Sequence, residues 1–345
     1  MSIRVLIVDD SATARAVIRQ TLESDRDIEV VGVAQDAYIA RDKVVELRPD
    51  VICLDVEMPR MDGVTFLKKL MTYMPTPVVM ISSLTQKGAR TTLEALEAGA
   101  VDFVPKPHSN IYDGIDDIKN EIISKVKAAA RAKVIQKKSL SSFAKVSYSA
   151  LSETTDKVIA IGASTGGTEA IKDVLARLPA NVPGIIIVQH MPPDFTKSFA
   201  DRLNDICAVE VKEAKNGDFL GVGKALIAPG DYHLALRRSG ARYYVEIGGG
   251  EKISGHRPSV DVMFNSVART AGSNAIGVIL TGMGADGAKG LLAMRNTGAR
   301  TIGQNESSCV VYGMPKVAFD IGAVEKQCEV GKIAEMIVKT AEEMK

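Results

Sequence analysis

Short apolar runs recur along the first part of the chain at 3–8 (IRVLIV), 28–33, 51–54, 78–81 (VVMI) and 101–104. Between them apolar residues fall at helical spacing, over 14–22, 37–47, 64–71 and 89–98. A further helix starts near Ile111 and runs past Val126. Short apolar strands alternating with helices belong to a parallel sheet covered on both faces. Residues 1–124 are therefore expected to form a five-stranded, doubly wound α/β domain. From 128 the periodicity decays into KKSLSSFAKVSYSALSETTDK, rich in Ser, Lys and Thr, so residues 125–157 read as an exposed linker. The pattern resumes with VIAIG at 158–162, with further strands at 184–188 and 275–279. Residues 158–345 then make a second doubly wound α/β domain, mainly of parallel sheet. Its middle is different: KALIAPG, YHLALRR and RYYVEIG are separated by Gly, Asp and Ser and read as an inserted set of antiparallel hairpins.

Composition narrows the class without changing this layout. The chain is 46% apolar and 25% charged, ordinary for a globular protein. Acids follow the first strand at once, and no run nears 18 apolar residues, so neither a secretion signal nor membrane insertion is expected. A cytoplasmic location fits that pattern. Cys53, Cys207, Cys309 and Cys328 are scattered without a CxxC, which predicts three or more buried thiols and neither disulfide nor zinc. Charge is uneven: residues 1–124 balance at −6, while 125–157 balance at +6. A basic stripe on an otherwise neutral chain predicts a solvated linker beside an acidic domain, and no nucleic-acid partner.

The chemistry sits at strand ends. Asp9 and Asp10 follow the first strand, Asp55 the third, Ser82 the fourth and Lys106 the fifth. Ligands bind outside the carboxyl ends of strands in open parallel sheets, so these groups converge on one rim. Three adjacent carboxylates repel one another unless a hard cation such as Mg²⁺ joins them. A hydroxyl and an ammonium on the same rim suit phosphoryl oxygens. Each acid taken singly is also a good turn former or helix cap. The motifs VDDSA, LDVEMPRMDG, SS and KP make residues 1–124 similar to the receiver domains of two-component response regulators. That resemblance implies Asp55 as phospho-acceptor, with Asp9, Asp10 and Asp55 holding Mg²⁺. It also implies Ser82, Phe103 and Lys106 as the residues that respond to phosphorylation.

In the second domain a strand runs into Gly162-Ala163-Ser164-Thr165-Gly166-Gly167 and then a helix. A serine there lies near helical N–H groups that stabilise negative charge. The same turn could cap the helix or cradle a phosphate, although it lacks GxGxxG spacing. His190 follows the next strand and is a candidate base. Asp286, after a third strand, is placed to orient it. The glycines around Met283 leave backbone N–H groups for an oxyanion hole. Asp286 could equally cap the helix that follows it. His256, in a Gly/Pro-punctuated segment, suits a pocket rim and substrate contact.

GASTGGTEAI, QHMPP, LIAPGDYH, HRPSVD and TGMGADGA resemble the catalytic domain of the chemotaxis protein-glutamate methylesterases. With the receiver in front, the similarity spans essentially the whole chain. It implies hydrolysis of glutamate methyl esters, with glutamine deamidation, on the cytoplasmic domains of chemoreceptors. Ser164, His190 and Asp286 would be the triad and Met283 the oxyanion-hole residue, with no cofactor for the ester reaction. A chemotaxis histidine kinase would be the phosphodonor, and the unphosphorylated receiver would cover the catalytic cleft. The surplus charge of the linker, including Lys133, Lys137 and Lys138, could then contact the acidic receiver.

Overall fold

A computed structural model describes residues 2–83, 85–106, 115–132 and 156–344. His108, the Lys106–Pro107 bond and the linker lysines 133, 137 and 138 lie outside the described residues. The chain divides into two units, residues 1–139 and 140–345.

In the first unit, strands β1–β5 are Ile3–Val8, Ile28–Ala34, Val51–Asp55, Val78–Ser82 and Asp102–Pro105. Helices α1–α5 are Ala12–Glu23, Ala37–Leu47, Gly63–Tyr73, Gln86–Glu97 and Ile115–Arg131. The sheet is wholly parallel in the order β2-β1-β3-β4-β5, as the alternation predicts. β3 and β4 are buried along their full length, which explains why they read as unbroken apolar runs. Some polar residues after strands are indeed caps. Asp36 accepts the Tyr38 and Ile39 N–H groups, and Asp62 accepts that of Thr65. Asp55 has a different use.

The second unit holds strands β6–β10, at Val158–Ala163, Gly184–Gln189, Glu210–Glu213, Phe219–Leu220 and Lys224–Ile227. Strands β11–β15 follow at His233–Ser239, Arg242–Gly248, Ala275–Ile279, Arg300–Gln304 and Lys326–Cys328. Helices α6–α8 are Gly167–Leu175, Phe195–Ile206 and Val260–Thr270; α9–α11 are Ala288–Asn296, Met314–Asp320 and Val330–Glu343. Seven strands form a parallel sheet in the order β15-β14-β13-β6-β7-β10-β8. From β6 the chain builds outward through β7, then returns to add β13 on the other side. The carboxyl ends of β6 and β13 therefore flank a switch point, where a crevice opens.

The hairpin expectation is met in part. β11 and β12 pair antiparallel, with β9 as a third strand. KALI, by contrast, is β10 of the main sheet, lying parallel between β7 and β8. Its Ala225, Leu226 and Ile227 are all buried, as an interior parallel strand requires, and the glycines flanking it mimic hairpin punctuation. The four cysteines are free thiols. Cys53 and Cys309 are buried while Cys207 and Cys328 are half-buried, so two rather than three thiols are fully enclosed.

Candidate active site and acidic pocket

The first unit gathers Asp9, Asp10 and Asp55 at the carboxyl ends of β1 and β3, with carboxylate oxygens all within 4.8 Å of one another. Asp9 and Asp55 are buried and Asp10 is exposed. The Lys106 ammonium, just past β5, reaches Asp55 Oδ2 at 2.8 Å and Asp9 Oδ2 at 3.0 Å. Burial raises the Asp55 pKa to about 6; the Lys106 bond opposes this, and the negative charge of Asp9 adds to it. One lysine thus serves two buried carboxylates. Such an all-oxygen donor set suits a hard divalent cation.

Two other predicted residues lie on neighbouring strands with their side chains engaged elsewhere. The buried Ser82 hydroxyl accepts a hydrogen bond from Thr92 Oγ1 at 2.7 Å and faces the Gly88 carbonyl at 3.4 Å, both on α4. Phe103 is buried on β5, with the Lys125 ammonium 5.1 Å from its ring centroid and donating to its carbonyl at 2.6 Å. Lys125 was not singled out by sequence, because an i,i+4 partner of Glu121 on a charged helix reads as a solvated face.

In the second unit Ser164 follows β6 directly. Its N–H donates to the Thr281 carbonyl at 3.0 Å, past the end of β13. Its own carbonyl accepts the Gly167 N–H at 2.6 Å and Gln189 Nε2 at 3.0 Å. The cap of α6 is Gly166, held at φ 75° with no side-chain bond, so Ser164 is not the helix cap. Any Cβ at Gly166 would meet Val310 at 2.6 Å in a backbone conformation that L residues avoid. Gly282 lies against the serine: a Cβ there would come within 2.8 Å of Ser164 Cβ. Met283, the candidate oxyanion-hole residue, is the next residue in the chain.

His190, half-buried after β7, places Nδ1 3.1 Å from Ser164 Oγ and Nε2 2.8 Å from Asp286 Oδ2. The three side chains thus form one hydrogen-bonded row. The order of ring nitrogens is the reverse of the common serine-protease template, and imidazole can relay a proton in either sense. Asp286 does not cap the helix that follows it, since α9 starts from Gly287 without a side-chain cap. It instead accepts from the N-terminus of α8. Oδ1 takes the Ser259 hydroxyl at 2.8 Å and the Asp261 N–H at 3.1 Å, and Oδ2 takes the Val260 N–H at 2.7 Å. Burial alone would raise its pKa, but the hydrogen bond and charge of His190, with the Val260 and Ser259 donors, hold it down at about 2.

Supporting groups escaped the sequence reading. Gln189 donates to the carbonyls of both Ser164 and His190, and its Oε1 is buried against Gly167. Thr281 bonds the Thr165 carbonyl and accepts the Val311 N–H. The available signal was a polar residue at the end of one apolar strand, Gln189, and one just past the end of another, Thr281.

An acidic pocket on one parallel sheet, and a hydroxyl–imidazole–carboxylate row on another in the same chain, define a response regulator with an enzymatic output domain. Comparison with known proteins gives the particular family. The CheB methylesterase family matches residues 159–337, and the response regulator receiver domain matches residues 5–113. The chain is 61% identical over 333 residues to the protein-glutamate methylesterase/protein-glutamine glutaminase of Sulfurimonas denitrificans, covering 94% of each. It is 56% identical over 340 residues to a like-named protein of Syntrophus aciditrophicus, covering 98% of each. The solved catalytic domain of the Thermotoga maritima CheB methylesterase superposes with a TM-score of 0.52 at 38% identity, covering 53% of this chain and 98% of that one. The chain belongs to the CheB methylesterase family and carries its receiver domain in front. Among the described residues no helix is long and apolar enough to cross a membrane.

Proposed function

We propose that the chain removes methyl groups from glutamate side chains of chemoreceptors, and deamidates receptor glutamines, under control of phosphorylation at Asp55. The observation that carries this reading is the continuous row from Ser164 through His190 to Asp286, at 3.1 and 2.8 Å. With its proton on Nε2, shared with Asp286, His190 presents a basic Nδ1 to the serine. Ser164 Oγ attacks the ester carbonyl as Nδ1 takes the hydroxyl proton. The tetrahedral oxyanion lies toward the Met283 N–H. Collapse expels methoxide, which leaves as methanol with the proton from His190. Water then attacks the glutamyl ester on Ser164, His190 again takes a proton, and the carboxylate is released as Ser164 regains its hydrogen. A glutamine amide follows the same course with ammonia as leaving group. No cofactor takes part in this step.

In the receiver, Asp55 accepts the phosphoryl group from a chemotaxis histidine kinase. Asp9, Asp10 and Asp55 would hold Mg²⁺, which supplies positive charge for the phosphoryl oxygens. Lys106 binds the same oxygens, and Ser82 and Phe103 change partners when they are present. Phosphorylation then leaves the esterase more active. The substrates named in this reading are cytoplasmic receptor domains, which places the enzyme in the cytoplasm.

The test is methanol release from methylated receptor membranes by the full chain, with and without acetyl phosphate and Mg²⁺. Ser164→Ala should abolish release while Asp55 is still phosphorylated. Substantial remaining turnover by that variant would sink the nucleophile assignment.

A further inference from the structure

Two hydrogen bonds fix His190 within the plane of its ring. They restrain tilting of the ring out of that plane less firmly, because a hydrogen bond bends more easily than it stretches. Tilting would turn the Nδ1 lone pair away from the serine, and small misplacements of a reacting group are costly. Whatever touches the ring face therefore controls how often the base points correctly. That contact is another histidine: the imidazole of His256 lies 3.8 Å from that of His190, centroid to centroid, with the planes 14° apart.

The segment bearing His256 is firmly held. The His256 N–H donates to the Ile253 carbonyl at 2.9 Å, and the Ile253 N–H returns the bond at 3.1 Å. Arg257 Nε and Nη2 donate to Asp231 Oδ1 at 3.0 and 2.6 Å, and Nη1 donates to the Gly250 carbonyl. His233, buried beneath, accepts the Ser259 N–H at 3.2 Å through Nδ1 and bonds the Glu251 carbonyl at 2.9 Å through Nε2. Three residues past His256, Ser259, Val260 and Asp261 supply the donors that grip Asp286. One short stretch thus braces the face of the base and the carboxylate that orients it.

We infer that His256 is a positioning residue for His190, acting through the flat face of its ring rather than by contact with the receptor. The inference rests on the proposed triad. Its substance is steric: a planar, face-packed ring of similar thickness should do the same work, and a side chain without a flat face should not.

The experiment compares His256→Ala, His256→Leu and His256→Phe in the full chain by two readouts. The first is kcat and KM for methanol release from methylated receptor membranes. The second is the rate of labelling of Ser164 by a small fluorophosphonate, which presents no receptor helix to contact. His256→Ala should lower kcat about tenfold with KM within about twofold, and should slow labelling to the same degree. His256→Leu, which fills the space without a flat face, should resemble alanine and serves in its place should the alanine variant not fold. His256→Phe should recover most of both rates. A raised KM with unchanged labelling would make His256 a receptor contact and overturn the inference. Equal loss in the phenylalanine variant, with its thermal unfolding unchanged, would do so too, by showing that imidazole chemistry is needed. Turnover retained by Ser164→Ala would instead remove the triad itself, a distinguishable failure.

Discussion

Asp55 and Asp286 are both buried aspartates at the carboxyl edge of a parallel sheet, yet they are treated in opposite ways. Asp286 meets His190 and three donors from the start of α8, and its pKa falls to about 2. Asp55 shares the Lys106 ammonium with Asp9, and its pKa rises to about 6. The difference lies in the balance of donors against neighbouring negative charge, because burial pushes both carboxyls upward. A carboxylate saturated with donors is a fixed charge, suited to orienting a base that becomes cationic. An under-compensated one gains most from a cation or a new covalent partner. The esterase pocket is therefore built to stay as it is, and the receiver pocket to be changed.

The largest expected effect comes from removing the fixed charge. Asp286→Asn keeps the volume but offers His190 a neutral amide and disturbs the tautomer that leaves Nδ1 basic. In methanol-release assays kcat should fall by roughly 10⁴-fold, the loss seen when a triad carboxylate is neutralised. A fall of less than tenfold would mean that the donors around Asp286 serve the fold alone. The matching change in the other pocket, Asp55→Asn, should act on regulation only. Basal turnover should persist, and acetyl phosphate with Mg²⁺ should give no stimulation. Equal stimulation in variant and parent would place the switch elsewhere.

How much of this contrast could be read from the sequence follows from range. The parallel strands were legible because each carries its own apolar run, and Asp9, Asp55, Ser164, His190 and Asp286 were legible because strand ends converge in such sheets. The fate of KALI was not, since its parallel pairing between β7 and β8 joins it to strands that its own residues do not specify. Nor was the sense of the imidazole, with Nδ1 toward the serine. The grip of α8 on Asp286 joins residues 25 to 27 positions apart and uses backbone N–H groups that every residue possesses. Side-chain identity marks the acceptor here and says nothing of the donors. For the same reason the sequence alone permits helix capping by Ser164 or by Asp286, whereas the caps of α6 and α9 are Gly166 and Gly287.

The smallest effect is a difference in the sign of pH dependence. A folded-state pKa depressed from 3.8 to about 2 means that Asp286 contributes stability fully above about pH 4 and loses it as pH falls toward 2. The amount is about 2 kcal/mol, at 1.36 kcal/mol per pKa unit. Asp55 has a raised pKa, so its contribution runs the other way: present below about pH 4 and lost as pH rises through about 6. Thermal unfolding of the parent and each Asn variant, in chelator so that no cation enters the receiver, separates the two. The stability gap between parent and Asp286→Asn should narrow on acidification from pH 4 to 2. The corresponding gap for Asp55→Asn should change between pH 4 and 7 instead, with the variant gaining on the parent as pH rises. If both gaps moved in the same direction, the two carboxylates would not be in opposite electrostatic states, and the fixed-against-changeable contrast would fail at its source.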